Sequence, residues 1–119
     1  MSPTFARTFQ EYVDWMALNA PQAAVLDWWS RLDRALHEYA ATFQMIEPSR
    51  YRARFEELVA ASDRLGPDCA ASIRRLRSVR NGVEHRSIYV SPEEARVFAN
   101  EALAVIGVVG RQLAFSGAA

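Results

Sequence analysis

The residues of this chain best suited to chemistry lie in one short stretch, RNGVEH, which begins at Arg80. The guanidinium of an arginine binds phosphate oxygens in a planar, bidentate way, and the imidazole of a histidine exchanges protons near neutral pH. Arg80 and Glu84 are one helical turn apart, as are Asn81 and His85, so each pair can touch on a helix surface. Arg80 and His85 are roughly 140° apart around a helix axis. These two side chains can meet only through the length of Arg80, through fraying of the helix at Gly82, or across a dimer interface.

Basic residues are concentrated in the same part of the chain. Residues 48–89 contain nine Arg and five acidic residues, whereas residues 1–47 contain three Arg and six acidic residues. The net charge of the whole chain is zero, so the molecule as a whole has no general attraction for a polyanion. Arg74, Arg75 and Arg77 precede the motif by about one turn. A solvated helix face is the ordinary interpretation of this cluster, and a strip that binds phosphates is the alternative.

Proline and glycine residues divide the chain into five predicted helices. The first begins with Ser2 as its cap and Pro3 as its first residue, and it ends at Asn19-Ala20-Pro21. The second runs from about Pro21 to Gln44, the third carries Tyr51 to Leu65 and ends at Gly66-Pro67, and the fourth runs from about Pro67 into the 80s. The last helix opens with Ser91 as cap, Pro92 at the first helical position and Glu94 three residues after the cap, which is a capping box. No stretch predicts a strand of useful length.

Apolar residues recur at helical spacing and predict which faces form the core. The second helix has the clearest stripe: Val25, Trp29, Leu32, Leu36, Tyr39 and Phe43. Trp28 widens this stripe and is expected to pack against the first helix. In the fourth helix we expect Ile73, Leu76, Val79 and Val83 to face inward. The last helix is apolar nearly all round from Ala102 to Val109, which predicts burial on two sides and therefore a homodimer.

Length and composition restrict the class of protein. A chain of 119 residues with half of its residues hydrophobic is expected to fold as a single domain, residues 1–119. The longest apolar run is too short to cross a bilayer, the N-terminus does not resemble a signal peptide, and Cys69 has no cysteine to pair with. We therefore expect a cytoplasmic protein without a membrane anchor.

No cluster has metal-ligand spacing and no Gly-rich phosphate loop is present, so neither a metal nor a cofactor is predicted. The other histidine, His37, is expected to be solvated.

The RNGVEH stretch resembles the signature of the HEPN domain family, in which an Arg, a short run that begins with a polar residue, and a His end one helix just before the next. The Ser91-Pro92-Glu93-Glu94-Ala95 start of a long apolar helix also resembles this family, and Leu32-Asp33-Arg34-Ala35-Leu36 resembles its first core helix. The resemblance covers roughly residues 22–113. It implies an all-α, HEPN-like helical bundle of four core helices within residues 21–115, with residues 1–20 as an added N-terminal helix.

What the resemblance implies about function is a metal-independent endoribonuclease whose site forms where two protomers meet. Arg80 would hold the scissile phosphate, and His85 would act as general base or acid on the 2′-hydroxyl or the leaving oxygen. Asn81 would orient the imidazole or bind phosphate, and Glu84 would modulate the site by pairing with Arg80. The residues expected to bind the RNA backbone or to stack a base are Arg74, Arg75, Arg77, Arg86 and Tyr89.

Three hypotheses remain open at the level of sequence. The first is a HEPN-type ribonuclease, by analogy a toxin or defence effector that an antitoxin or regulatory protein restrains. The second is a non-catalytic dimeric module that binds RNA or protein through the same Arg-rich surface. In the third, a structural helical adaptor, His85 only terminates a helix, where its charge interacts favourably with the helix dipole.

Overall fold

The computed structural model describes residues 8–43 and 63–117, and all of the regular secondary structure in these ranges is helical. The four α-helices are α1 (Phe9–Asn19), α2 (Pro21–Thr42), α3 (Pro67–Glu84) and α4 (Pro92–Gly117), with a short 3₁₀ helix at Asp63–Leu65. The all-α prediction is confirmed for these residues, which include no strand. Most of the predicted third helix, from Tyr51 onward, lies outside the described residues.

Helix α1 begins later than the sequence predicts. Its first residue is Phe9, because Thr8 has extended backbone angles (φ −130°, ψ 161°) and its hydroxyl accepts a hydrogen bond from the Glu11 N–H at 3.0 Å. The predicted cap at Ser2 lies outside the described residues and is not the start of this helix. The break between α1 and α2 is at Ala20, as predicted, and Pro21 is the first residue of α2.

The core is formed by one face of each helix, and α2 makes its most extensive contacts with α4. The stripe predicted for α2 is buried from Val25 to Tyr39, while Phe43 lies just beyond the helix and is half-buried. Trp28 is buried and meets the ring of Phe9 in α1 edge-on, with 5.7 Å between the ring centroids. The other buried residues that join these helices are Val13, Ala17, Ile73, Leu76, Val83, Phe98, Ala102, Val105 and Val109.

Helix α4 buries only one of its faces in this single chain. Ala104 and Gly110 are exposed, and Gly107 and Val108 are half-buried. The stretch Pro92–Ala114 is also long and apolar enough, by length and composition alone, to cross a membrane, a criterion that core helices of soluble proteins also meet. The homodimer that would cover this surface remains a prediction.

Candidate functional site

The predicted catalytic stretch forms the C-terminal end of α3. The helix continues through Gly82 to Glu84, and His85 is the capping residue. Arg86 then adopts a left-handed conformation with φ 58°. The Ser87 N–H donates to the Gly82 carbonyl at 2.9 Å and the Arg86 N–H donates to the Val83 carbonyl at 3.1 Å, which is a Schellman motif. Fraying at Gly82 therefore does not bring Arg80 and His85 together.

Gly82 lies where the chain folds back onto the helix. A Cβ atom at position 82 would lie 2.7 Å from Cγ1 and 2.8 Å from Cδ1 of Ile88. The absence of a side chain at Gly82 thus lets Ile88 pack directly against the last turn of α3. The helix continues without a break through Gly82 to Glu84, so the glycine does not loosen it here.

A hydrogen-bonded clamp from α2 holds the other end of this reversal. The side-chain amide of Gln22 donates from Nε2 to the Val90 carbonyl at 2.7 Å and accepts from the Val90 N–H at 3.2 Å. Val90 is almost fully buried, so these two bonds satisfy main-chain groups that have little access to water. The segment between α3 and α4 is therefore fixed at both ends.

Arg80 is held on the side of α3 that faces α2. Its Nη1 donates to the Asn81 side-chain oxygen at 2.7 Å and lies 3.0 Å from a carboxylate oxygen of Glu84. The guanidinium carbon is 5.9 Å from the ring centroid of Trp29, within range of a cation–π contact. The predicted pairing of Arg80 with Glu84 is confirmed, and it occupies part of the guanidinium that would bind a phosphate.

A small cavity of about 200 Å³ lies beside this arginine. Trp29, Ser30 and Asp33 from α2 form one wall, and Arg80 and Glu84 from α3 form the other. Two carboxylates therefore face a single guanidinium here, which makes the cavity as it stands a poor receptor for a second anion. An anion that bound Arg80 would have to displace Glu84.

His85 is exposed and is not in contact with Arg80. Its main-chain N–H donates to the Asn81 carbonyl at 3.0 Å, while its ring forms no bond with any other residue of the described ranges. Arg74, Asn81 and His85 are seven and four residues apart, so they share the outer face of α3. The structure thus brings Asn81 to Arg80 through its side chain and places His85 on the same face as Asn81, with an imidazole available to a partner or substrate.

The residues predicted to bind RNA do not lie on one surface. Arg74 and Arg86 are exposed, and Arg77 is half-buried. Arg75 contacts Glu101 of α4 and the Ser72 hydroxyl, the latter at 3.3 Å. Tyr89, with 79 % of its surface exposed, lines a groove between α3 and α4 together with Arg75.

The remaining reactive groups do not add a second reaction centre within residues 8–43 and 63–117. Burial raises the pKa of the Cys69 thiol and the neighbouring Asp68 carboxylate raises it further, against a smaller opposing effect of Arg111. A thiol of this kind is less nucleophilic than an ordinary one at neutral pH. His37 is half-buried and its Nδ1 lies 2.8 Å from the Asp33 carbonyl, so it is solvated only in part. No three His, Cys, Asp or Glu of these ranges could hold a metal ion together.

Sequence reasoning missed two residues that position the site. Trp29 was assigned only to the core, yet its ring also lies under Arg80, 51 positions later in the chain. Gln22 gave no indication of its role, since a glutamine near a helix start is ordinary. The left-handed Arg86 was detectable in principle, because the helix ends there and no Gly follows His85.

Comparison with known proteins identifies no relative of this chain. No protein-family model, curated protein or solved structure matches the chain.

Proposed function

We propose that this protein is a metal-independent endoribonuclease of the HEPN type, with a reaction centre shared between two copies of the chain. The observation that supports the proposal is the arrangement at the end of α3. Arg80 and Asn81 are in contact there, and the exposed imidazole of His85 lies one turn beyond Asn81. A cytoplasmic role as a toxin or defence effector, restrained by an antitoxin or regulatory protein, belongs to the same proposal and rests on family analogy.

The chemistry follows from what the three side chains can do. A 2′-hydroxyl of RNA attacks the adjacent phosphorus, so that the O2′–P bond forms and the P–O5′ bond breaks. One imidazole accepts the proton of the 2′-hydroxyl and a second donates a proton to the departing O5′. Arg80 stabilises the extra negative charge on the phosphoryl oxygens in the transition state. The products are a 2′,3′-cyclic phosphate and a 5′-hydroxyl, and DNA is not a substrate because it has no 2′-hydroxyl.

Within the described residues, a single copy of the chain offers one imidazole at this site for two proton transfers. It has one histidine at this end of α3, and Arg80 points toward α2 while His85 lies on the outer face. A two-fold symmetric partner would add a second Arg80 and a second His85, which gives an acid and a base on opposite sides of the phosphate. The exposed face of α4 offers the additional surface that such a dimer would bury.

The Arg80–Glu84 ion pair favours a second candidate, a dimeric module that binds RNA or protein without cleaving it. With the carboxylate 3.0 Å from Nη1, the guanidinium is partly neutralised before any substrate arrives. The Glu84 side chain is 49 % exposed, so its carboxylate could turn to solvent and leave the guanidinium to a phosphate. For this reason the ribonuclease is the proposal that we favour.

The test is cleavage of a fluorescent single-stranded RNA in the presence of EDTA. Arg80→Ala and His85→Ala should each lower the rate by about 10²-fold or more, while circular dichroism shows that both variants keep the helical fold. The matched control is Arg31→Ala, because Arg31 also pairs with a carboxylate four residues away, Asp27 at 3.1 Å, and lies over a tryptophan, Trp28 at 4.7 Å. Cutting by both site variants at the wild-type rate would refute the enzymatic proposal.

Glu84→Gln separates the two candidates. In a ribonuclease it should increase cleavage, because Arg80 is freed while the size of the side chain is kept. In a binding module it should tighten RNA binding without any cyclic-phosphate product. RNA bound by the wild-type protein and never cut, by either the wild type or Glu84→Gln, would establish the second candidate.

A further inference from the structure

We propose that the groove between α3 and α4 binds a short amphipathic helix of a partner protein, one with basic residues beside its apolar stripe. This α3–α4 groove has a volume of about 510 Å³. Leu76, Val79 and Phe98 line its base, and Ile88, Tyr89 and Val97 line its sides. It lies on a different face of α3 from Arg74, Asn81 and His85, so the inference does not depend on the proposed ribonuclease.

The groove concentrates the apolar surface that the described residues leave exposed. Ile88, Tyr89 and Val97 are 41 %, 79 % and 55 % exposed, and they are three of the six large hydrophobic side chains exposed in this part of the chain. Isolated exposed hydrophobics are common, but a cluster around a concave surface is typical of a binding site. Covering these three side chains would remove apolar area from water, which favours association.

The charge at the rim indicates the chemistry of the occupant. Three carboxylates, Glu93, Glu94 and Glu101, line the groove, with Arg75 as the single guanidinium, and Arg75 already contacts Glu101. Hydrogen bonds with the Ser91 N–H and hydroxyl lower the pKa of Glu94, which favours its charged form. Arg96, outside the lining, pairs with Glu93 and offsets part of the charge. The remaining excess of negative charge favours a cationic partner and disfavours RNA.

The dimensions of the groove indicate a helix. Along α4 the lining runs from Glu93 to Glu101, and eight steps of 1.5 Å give about 12 Å, or slightly more than two helical turns. A helix of that length presents anchors at positions i, i+3 or i+4, and i+7 on one face, which matches an elongated apolar groove. The acidic residues lie at the two ends of this stretch. Because Glu101 is already in contact with Arg75, a Lys or Arg of the occupant would meet Glu93 and Glu94 at the other end.

The experiment is an affinity selection on the intact protein from a displayed library of helical peptides of about 14 residues with randomised surfaces. Enriched peptides should have apolar residues at i, i+3 or i+4, and i+7, with Lys or Arg near one end. In fluorescence anisotropy Val97→Glu should weaken the best peptide by about tenfold or more, since a charge then replaces an apolar contact. Leu18→Glu is the matched control, because Leu18 is 67 % exposed and lies outside the groove. This substitution introduces the same charge as Val97→Glu.

Charge is tested separately with Glu93→Arg, which should weaken the basic peptides and leave the fold intact, because Glu93 is exposed. Three results would overturn the proposal: no enrichment over an unrelated helical protein, enriched peptides without a basic preference, or equal loss of binding in Val97→Glu and Leu18→Glu. A fourth result would be a wild-type protein that is a dimer and binds no peptide, together with a Val97→Glu variant that is a monomer. The groove would then be the contact between two copies of the chain.

Discussion

The end of α3 and the start of α4, which flank residues 85–91, differ in how well their residues suit the local backbone conformation. At the start of α4, Ser91 and Glu94 exchange hydrogen bonds, with the Ser91 N–H donating at 2.9 Å and the Glu94 N–H donating to the Ser91 hydroxyl at 3.1 Å. At the end of α3, a position that usually holds glycine is held by Arg86 with φ 58°. Every residue at the first end suits its conformation, whereas the second end keeps a charged residue in an unfavourable one.

This difference separates a structural end from a candidate functional one. Left-handed conformation costs an ordinary L-residue roughly 1–2 kcal/mol, and strain of this kind persists only where the surroundings determine it. Here the determinants are Ile88 packed against Gly82 and the Gln22 clamp on Val90. A cation retained at that cost, next to an exposed imidazole, is consistent with selection for binding or chemistry rather than for stability.

The largest expected effect on stability comes from removing the clamp. Gln22→Ala leaves the N–H and carbonyl of the nearly buried Val90 without their partners, which should lower the free energy of unfolding by about 1–3 kcal/mol. Urea denaturation measures this loss. Gln10→Ala is the control, because Gln10 bonds Asp14 on the exposed surface and its loss should be small. Equal losses would mean that the clamp does not support the strained end.

The next effect tests the structural end. Ser91→Ala removes the hydroxyl that accepts from the Glu94 N–H, and it should reduce stability by about 1 kcal/mol without changing the affinity for RNA. Thermal denaturation and RNA binding, measured on the same preparation, check both statements. A loss of RNA affinity equal to that of Arg86→Gly would remove the distinction between the two ends.

Arg86→Gly should raise the stability of the protein, whereas the two preceding variants lower it. Relief of the left-handed strain, less the greater entropy of glycine in the unfolded chain, should stabilise the protein by about 0.5–1 kcal/mol. If Arg86 contacts RNA, the same variant should bind RNA more weakly and with a shallower dependence on salt. Stabilisation without any change in RNA binding would show that the arginine has no role in recognition.

The smallest effect is a pH dependence at the structural end. Hydrogen bonds from Ser91 lower the pKa of Glu94 in the folded protein. The ionised carboxylate therefore stabilises the fold above the pKa it has in the unfolded chain, and this contribution is lost as pH falls through the folded value. Glu94→Gln should be less stable than wild type at neutral pH and equally stable at a pH well below the usual range of glutamate. A stability difference between Glu94→Gln and wild type that persisted at low pH would mean that Glu94 acts through the geometry of its hydrogen bonds and not through its charge.

Much of the helical layout followed from local rules. The break at Ala20-Pro21, the capping box at Ser91 and the buried stripe from Val25 to Tyr39 need only residue type and spacing, because capping and helical periodicity act within a few residues. The start of α1 was misplaced because Ser2 and Thr8 are both acceptable caps. Local preference cannot choose between two such candidates.

The sequence by itself determined most of the helix bounds in the described residues, the apolar faces of these helices, and the stretch that contains Arg80, Asn81 and His85. Only the tertiary structure decided that Arg80 turns toward Trp29 and Glu84, that Gln22 fastens Val90, and that a groove with an acidic rim opens between α3 and α4. The physical reason is the distance along the chain over which the interactions act. Helix formation depends on neighbours within about one turn, whereas the direction of a long side chain and the shape of a groove depend on residues brought together from distant parts of the chain.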